Sequence, residues 1–165
     1  MIKLRDYKKT DAERLVHLAN NKNVSRYLVY TFPYPFTLKD ADWWITVGSK
    51  NKNAITKVIE YRGEFVGSIG ITPQAGWKDH IAEIGYWIGE KYWRQRIASN
   101  ALKMMCDFVF SEYNYKKLFA PVLAPNKASM SVLEKNDFEL ECVLKQEVYK
   151  DKEYFDIHQY TKFRL

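Results

Sequence analysis

The sequence predicts a single mixed α/β domain, and three observations carry that prediction. At 165 residues the chain has the size of one domain, 1–165, which buries roughly 70% of its unfolded surface around one core. The hydrophobic period switches repeatedly between strand alternation and helical spacing, in the order strand, two helices, three strands, helix, strand, helix, two strands. That order suits one sheet flanked by helices. The third observation is a strand that runs through a short polar loop into a long amphipathic helix, AEIGYWIGEKYWRQRIASNALKMMCDFVF, Ala82 to Phe110.

Ile2 to Arg5 reads as a short first strand. Thr10-Asp11-Ala12-Glu13 has the Ser/Thr-x-x-Glu pattern in which two side chains satisfy each other's free backbone donors, and Leu15, Leu18 and Ala19 follow on one face, so a first helix starts there. Arg26 to Phe36, RYLVYTFPYPF, is dense in aromatics and carries two prolines, which exclude a regular helix or central strand. It reads as an ordered loop. Thr37-Leu38-Lys39-Asp40 is a second capping signal, and the helix it opens ends near Gly48. AITKVIEY and EFVGSIGIT then flank a turn at Arg62-Gly63, and IAEIGYWI follows, predicting three antiparallel strands in a row. In the last of them alternation puts Glu83, Gly85 and Trp87 on one face and Ala82, Ile84, Tyr86 and Ile88 on the other.

Ile97, Ala101, Leu102, Met105, Phe108 and Val109 repeat at helical spacing and form an apolar stripe that must lie on the sheet. Lys117 to Val122 reads as another strand, and Asn126 to Lys135 as a helix with Ala128, Val132 and Leu133 facing inward. FELECVLKQEVY and EYFDIHQYTKFRL alternate around Lys150-Asp151-Lys152, a closing hairpin.

Composition narrows the function. With 47% hydrophobic and 16% aromatic residues the chain reads as ordinary globular protein, and no apolar run approaches a membrane span. No signal peptide is evident, so a cytoplasmic location is expected. Cys106 and Cys142 lack metal-ligand spacing and read as packing residues, and the three histidines are scattered, so no metal is expected. The net charge of +6 reads as a solvated basic surface or as attraction to an anionic ligand or acidic partner. Nucleic acid is disfavoured because Lys and Arg are spread along the chain without a recognition motif.

The strand, loop and helix of Ala82 to Phe110 form a generic anion site, because the first N–H groups of a helix lack partners and its dipole adds positive charge. The loop, WRQRIA, carries Arg94 and Arg96 where a phosphate-cradling turn would carry glycine. Together with YTFPYPFTLKDADWW near the N-terminus and NKASMSVLEKNDFELECVLK near the C-terminus, AEIGYWIGEKYW resembles the GNAT superfamily of acetyl-CoA-dependent N-acetyltransferases. Within it, the chain resembles the Rim-type branch that acetylates ribosomal protein N-termini. The resemblance runs nearly end to end.

It implies the acyl-CoA N-acyltransferase fold, a mostly antiparallel mixed sheet of about seven strands with about four helices and splayed central strands. Acetyl-CoA would lie in the splay, its pyrophosphate on the N–H groups of Trp93, Arg94, Gln95, Arg96, Ile97, Ala98 and Ser99. The family pattern has glycine at Arg96 and often at Arg94; an ordinary helical Arg96 still permits the nest, with two guanidiniums adding charge, whereas a nest that does not form lowers cofactor affinity, and the alternative for both side chains is solvent-facing arginines at a helix start. Asn126 matches a residue that bonds the cofactor or the loop, its alternative being a helix cap, and Ser129 matches a donor to the departing thiolate, its alternative a bond to backbone. Asp137 stands where the family has glycine.

Acetyl transfer to an amine needs a base, a polarised carbonyl and a stabilised thiolate. Glu83, on the strand flanking the acetyl group, is the expected base, and a backbone N–H near Trp87 or Ile88 the expected carbonyl partner. Tyr30, Phe32, Tyr34 and Phe36 line the acceptor pocket or form core beneath their loop. The acceptor is a primary amine, either a protein N-terminus or a small amine, attacked directly without a covalent intermediate. The competing reading is a degenerate GNAT-fold module that senses CoA or binds a partner without turnover. The oligomeric state is open, a homodimer among the options.

Overall fold

The computed structural model describes residues 1–28 and 32–164. Its strands are β1 (Ile2–Arg5), β2 (Ile55–Tyr61), β3 (Glu64–Pro73), β4 (Ile81–Ile88), β5 (Lys117–Leu123), β6 (Glu139–Lys150) and β7 (Glu153–Phe163). The α-helices are α1 (Ala12–Ala19), α2 (Lys22–Ser25), α3 (Leu38–Thr46), α4 (Ile97–Glu112) and α5 (Lys127–Glu134). All seven strands join one sheet in the order β1-β2-β3-β4-β5-β7-β6. Every pairing is antiparallel except β4 with β5. That exception follows from the connection: α4 carries the chain back so that β5 starts beside the start of β4.

The parallel pair is short. Only Ile81, Ala82 and Glu83 pair with Lys117, Leu118 and Phe119, after which β5 stays paired with β7 while β4 stays paired with β3. The two central strands therefore diverge beyond Glu83 and Phe119 and open a wedge.

Alternation on β4 sorts the core into two layers as expected. Ala82, Ile84 and Ile88 pack with Ile97, Ala101, Leu102, Met105, Cys106 and Val109 of α4 and with Met130 and Leu133 of α5. Trp87 faces the other way, against Val58, Phe65, Leu15 and Leu18 of α1 and Ala41 and Ile45 of α3. Burying a large aliphatic side chain contributes about 1.5–3 kcal/mol, so the fully buried Leu102, Met105 and Ile84 fix α4 to β4.

Several local expectations shift. A fifth helix, α2, is one turn long and is opened by Asn21, whose side chain accepts from the Asn23 N–H. The first helix does not use the Thr10/Glu13 box: Asp11 accepts from the Lys8 N–H at 2.8 Å and forms a forked pair with Arg5 at 2.8 Å on each nitrogen. A charged partner from β1 outcompetes the local cap. The Thr37/Asp40 box is present as expected, with the Thr37 N–H donating to Asp40 at 2.8 Å. On α4 Cys106 is buried while Phe108 is 38% exposed, and on α5 Met130 is buried while Ala128 is exposed. The hairpin turns are left-handed at Arg62-Gly63 (φ 53° and 84°) and at Asp151-Lys152 (φ 52° and 67°), matching the right-handed twist of their strands.

Candidate active site

The wedge is lined by groups of different chemistry on its two sides. Gly89 donates its N–H to the Val66 carbonyl on β3, at 2.9 Å. Strand alternation then turns the N–H of Trp87 toward β3 and those of Tyr86 and Ile88 toward the side that β5 has left. The Ile88 carbonyl points the same way and accepts from Trp93 Nε1 at 2.7 Å. The indole thus holds the loop against the end of the strand. Of the two expected carbonyl partners, Ile88 has the N–H that faces the wedge, whereas the Trp87 ring lies 6.0 Å from both Phe32 and Phe65.

The loop resolves the question raised by its two arginines. Arg94 has φ 61° and Arg96 has φ 59° and ψ 11°, so both adopt the left-handed conformation that glycine adopts without penalty. Arg96 takes no ordinary helical conformation; it is the left-handed N-cap of α4 and offers no side-chain cap. The N–H groups of Ile97, Ala98 and Ser99 consequently start α4 without helical partners, the first helical bond being Asn100 to the Arg96 carbonyl at 3.1 Å. Ile97 itself is buried beneath the loop, Gln95 donates to the Lys91 carbonyl at 3.1 Å, and Ser99 accepts from Asn136 Nδ2 at 2.9 Å. Both arginine side chains are exposed at the mouth of this nest. Arg96→Gly is expected to raise the unfolding free energy by up to about 1.5 kcal/mol, since relief of roughly 1–2 kcal/mol of strain is offset by the lost chain restriction of roughly 0.5–1 kcal/mol; urea denaturation at constant slope measures it.

Glu83 stands at the last β4–β5 pair, opposite Thr72 on β3 and Phe119 on β5. It is half-buried, and burial raises its carboxyl above the ordinary carboxylate value, with no charged partner among the described residues opposing the shift. Between Glu83 and Trp87 the same face carries Gly85, which is exposed and has nothing within 4 Å of the position a Cβ would take. Among the described residues, the sheet face on the α1/α3 side is therefore uncovered at Gly85, two positions from the carboxylate.

The opposite side holds a hydroxyl pair. Ser129, in the first turn of α5, lies 3.0 Å from the Tyr86 hydroxyl through Oγ, and its carbonyl accepts from the same phenol at 3.3 Å. Asn126 is the N-cap of α5, its Oδ1 accepting the Ser129 N–H at 3.2 Å. Alternation groups Tyr86 with the core-facing residues Ala82, Ile84 and Ile88, and its signal is the lone hydroxyl on an otherwise aliphatic face.

The aromatic loop is partly accounted for by packing. Phe36 is buried and stacks on Phe32 at 5.1 Å, while Tyr34 is exposed; Tyr30 lies outside the described residues. Two contacts fix the rim. Glu90, just after β4, accepts from Asn21 and from Asn23 at 2.8 Å, tying α2 to the loop, and Lys150 at the β6–β7 turn donates to the carbonyls of Ser25, Arg26 and Leu28 at 3.2, 2.8 and 2.9 Å.

Residues 2–139 match the family model described as acetyltransferase (GNAT) domain. The chain is 31% identical over 163 residues to the uncharacterized N-acetyltransferase YoaA of Bacillus subtilis (strain 168), an alignment covering 96% of this chain and 90% of the relative. RimL, a ribosomal L7/L12 α-N-protein acetyltransferase solved in complex with coenzyme A, matches with a TM-score of 0.86 at 22% identity over 98% of this chain and 93% of that one. Spermidine N-acetyltransferase from Vibrio cholerae, in complex with CoA and spermine, matches with a TM-score of 0.83 at 18% identity over 99% and 95%. At these identities the two solved structures share the fold with this chain.

Proposed function

This chain belongs to the acetyltransferase (GNAT) family, and from that premise we propose that it acetylates the α-amine of a protein N-terminus by direct attack on acetyl-CoA, in the manner of the Rim-type branch. Acetyl-CoA is the family's acetyl donor. The residues present suit it: a left-handed loop and three N–H groups without helical partners for the pyrophosphate, and the Ile88 N–H turned toward the wedge for the thioester carbonyl. Bound there, the cofactor supplies an activated acetyl group.

The observation that carries this reading is the division of the wedge, with Glu83 on the α1/α3 side and Ser129 with Tyr86 on the α4/α5 side. An amine entering over Gly85 meets the base first, and the thiolate leaves toward the hydroxyls. The acceptor choice rests on acidity. An α-ammonium has a pKa of about 7.7–8.0 and an aliphatic ammonium about 10.4, so a single carboxylate deprotonates the first far more readily near neutral pH. A cytoplasmic site of action, ribosomal proteins as acceptors and the aromatic residues Phe32 and Tyr34 as part of the acceptor pocket belong to the same reading.

The glycine-like backbone of Arg94 and Arg96 supports cofactor binding, which the enzyme and the competing module that binds CoA without turnover have in common, so turnover is what separates them. Acetyl-CoA at a hundredfold excess over its Kd is expected to stabilise the fold by about 2.7 kcal/mol, roughly 5–10 °C in a domain of this size. Thiol release is then followed with N-terminal peptides, a polyamine and a lysine peptide blocked at its α-amine. Release with the N-terminal peptides supports the acceptor; release with the polyamine alone replaces it; stabilisation with no release from any amine would sink the enzymatic reading.

A further inference from the structure

We propose that Tyr86 is the positioning residue for thiolate departure: its phenol donates to Ser129 Oγ and thereby turns and strengthens the Ser129 hydroxyl as a hydrogen-bond donor to the leaving sulfur. The inference rests on the acetyl-transfer reading and deepens it.

The phenol has one hydrogen and two acceptors within reach on one residue, Ser129 Oγ at 3.0 Å and the Ser129 carbonyl at 3.3 Å. With no sulfur to bond, donation to the carbonyl leaves the Ser129 hydroxyl free to donate to the phenolic oxygen, satisfying both groups. Once sulfur accepts from Ser129, the phenol rotates its hydrogen to Oγ, giving a chain O–H···O–H···S in which each bond polarises the next. The sites are fixed from both sides. Tyr86 is held by β4, paired with Ile69 of β3, and Ser129 by the Asn126 cap of α5. Burial raises the Tyr86 phenol well above its usual value, so it remains a donor at every working pH.

The chemistry balances without a proton leaving Tyr86. The amine lone pair forms the C–N bond to the thioester carbon, the carbonyl electrons return as the C–S bond breaks, and its electron pair departs on sulfur. A thiol has an ordinary pKa of about 8.5. Its thiolate is a good leaving group that needs a strong hydrogen bond rather than a complete proton from an alcohol. The first ammonium proton, taken by Glu83, passes to water; the second leaves the nitrogen for water as the C–S bond breaks and the amide forms; and the thiolate takes one proton from water, so one proton is released overall. This assigns Ser129 the role of donor and Tyr86 the role of orienting it.

A double-mutant cycle tests the coupling. Tyr86→Phe keeps the ring and its packing, so the fold is retained, which a melting curve checks. Losing one hydrogen bond in the departing-thiolate state is expected to lower kcat about tenfold, with KM for acetyl-CoA unchanged within about twofold. In the Ser129→Ala background the same change should lower kcat less than about twofold, because the donor it orients is already gone. An equal loss in both backgrounds, no loss in the wild-type background, or a loss confined to KM overturns the inference while leaving acetyl transfer intact. Absence of amine-dependent thiol release by the wild-type protein overturns the acetyl-transfer reading itself and this inference with it.

Discussion

Glu83→Gln is expected to lower kcat/KM for the amine acceptor by about a hundredfold or more at pH 7, the range for a positioned general base. Glutamine preserves the shape and the half-buried setting but accepts no proton from an ammonium. The pH profile supplies the decisive reading. Burial raises the Glu83 pKa, so in the wild-type protein activity should climb as pH rises through a value above the ordinary carboxylate range, and that rising limb should vanish in the variant. Stability should move in the opposite sense. A carboxyl whose pKa is raised by folding binds its proton more tightly in the native state, so its contribution falls as pH rises from the unfolded value through the folded one. At pH 7 the ionised group opposes folding, and the variant should melt at the same temperature as the wild type or higher. A variant that lost activity and stability together, or one that kept the rising limb, would remove Glu83 from the role of base.

The division of the wedge into a basic and a hydroxyl side was legible because strand alternation is a local rule. Once IAEIGYWI is a strand, Glu83 and Trp87 must face one way and Ile84, Tyr86 and Ile88 the other, and the two cores follow that division. What alternation does not carry is which residue on another element meets each face. Tyr86 gains its meaning only from Ser129, 43 positions further along, and that proximity depends on how α5 returns to the wedge. The same limit explains the Thr10/Glu13 box. Its sequence pattern is sound, yet Asp11 has a better partner in Arg5, brought in by β1, and a forked pair to a guanidinium outweighs a neutral cap.

Short helices add a second limit. At eight residues α5 is barely two turns long, so two or three apolar positions do not fix its phase; the Asn126 cap and the packing on α4 do, burying Met130 in place of Ala128. The loop arginines are a third case. Sequence supplies the penalty for a left-handed non-glycine residue but not the surroundings that impose it. Here Trp93 clamped to the Ile88 carbonyl and Ile97 anchored in the core fix both ends of the turn, and the backbone between them follows. Strain concentrated in a loop of this kind fits a site selected for its N–H directions rather than for stability.

Gly67→Ala is expected to be the most damaging small substitution in the sheet, lowering stability by about 3 kcal/mol, or roughly 6–12 °C in melting temperature. Gly67 on β3 pairs with Ile88, at the end of β4 that the wedge depends on. A Cβ there would overlap the Trp87 carbonyl oxygen and approach Ile88 Cα to 3.0 Å. Both obstacles are backbone, so no side chain can swing aside; β3 and β4 must move apart. That movement would turn the Ile88 carbonyl away from Trp93 and with it the Ile88 N–H that faces the wedge, so on the proposed reading acetyl-CoA affinity should fall along with stability. Gly85→Ala is the matched control. It adds the same methyl one strand away, where none of the described residues lies within 4 Å, and should shift stability by less than about 0.5 kcal/mol. Equal melting temperatures for the two variants would mean that β3 and β4 approach less closely at Gly67 than the structure has them. A large loss at Gly67 alone would tie the wedge to this one point of backbone contact, where the strand that carries Glu83 is held against β3 while its other edge diverges from β5.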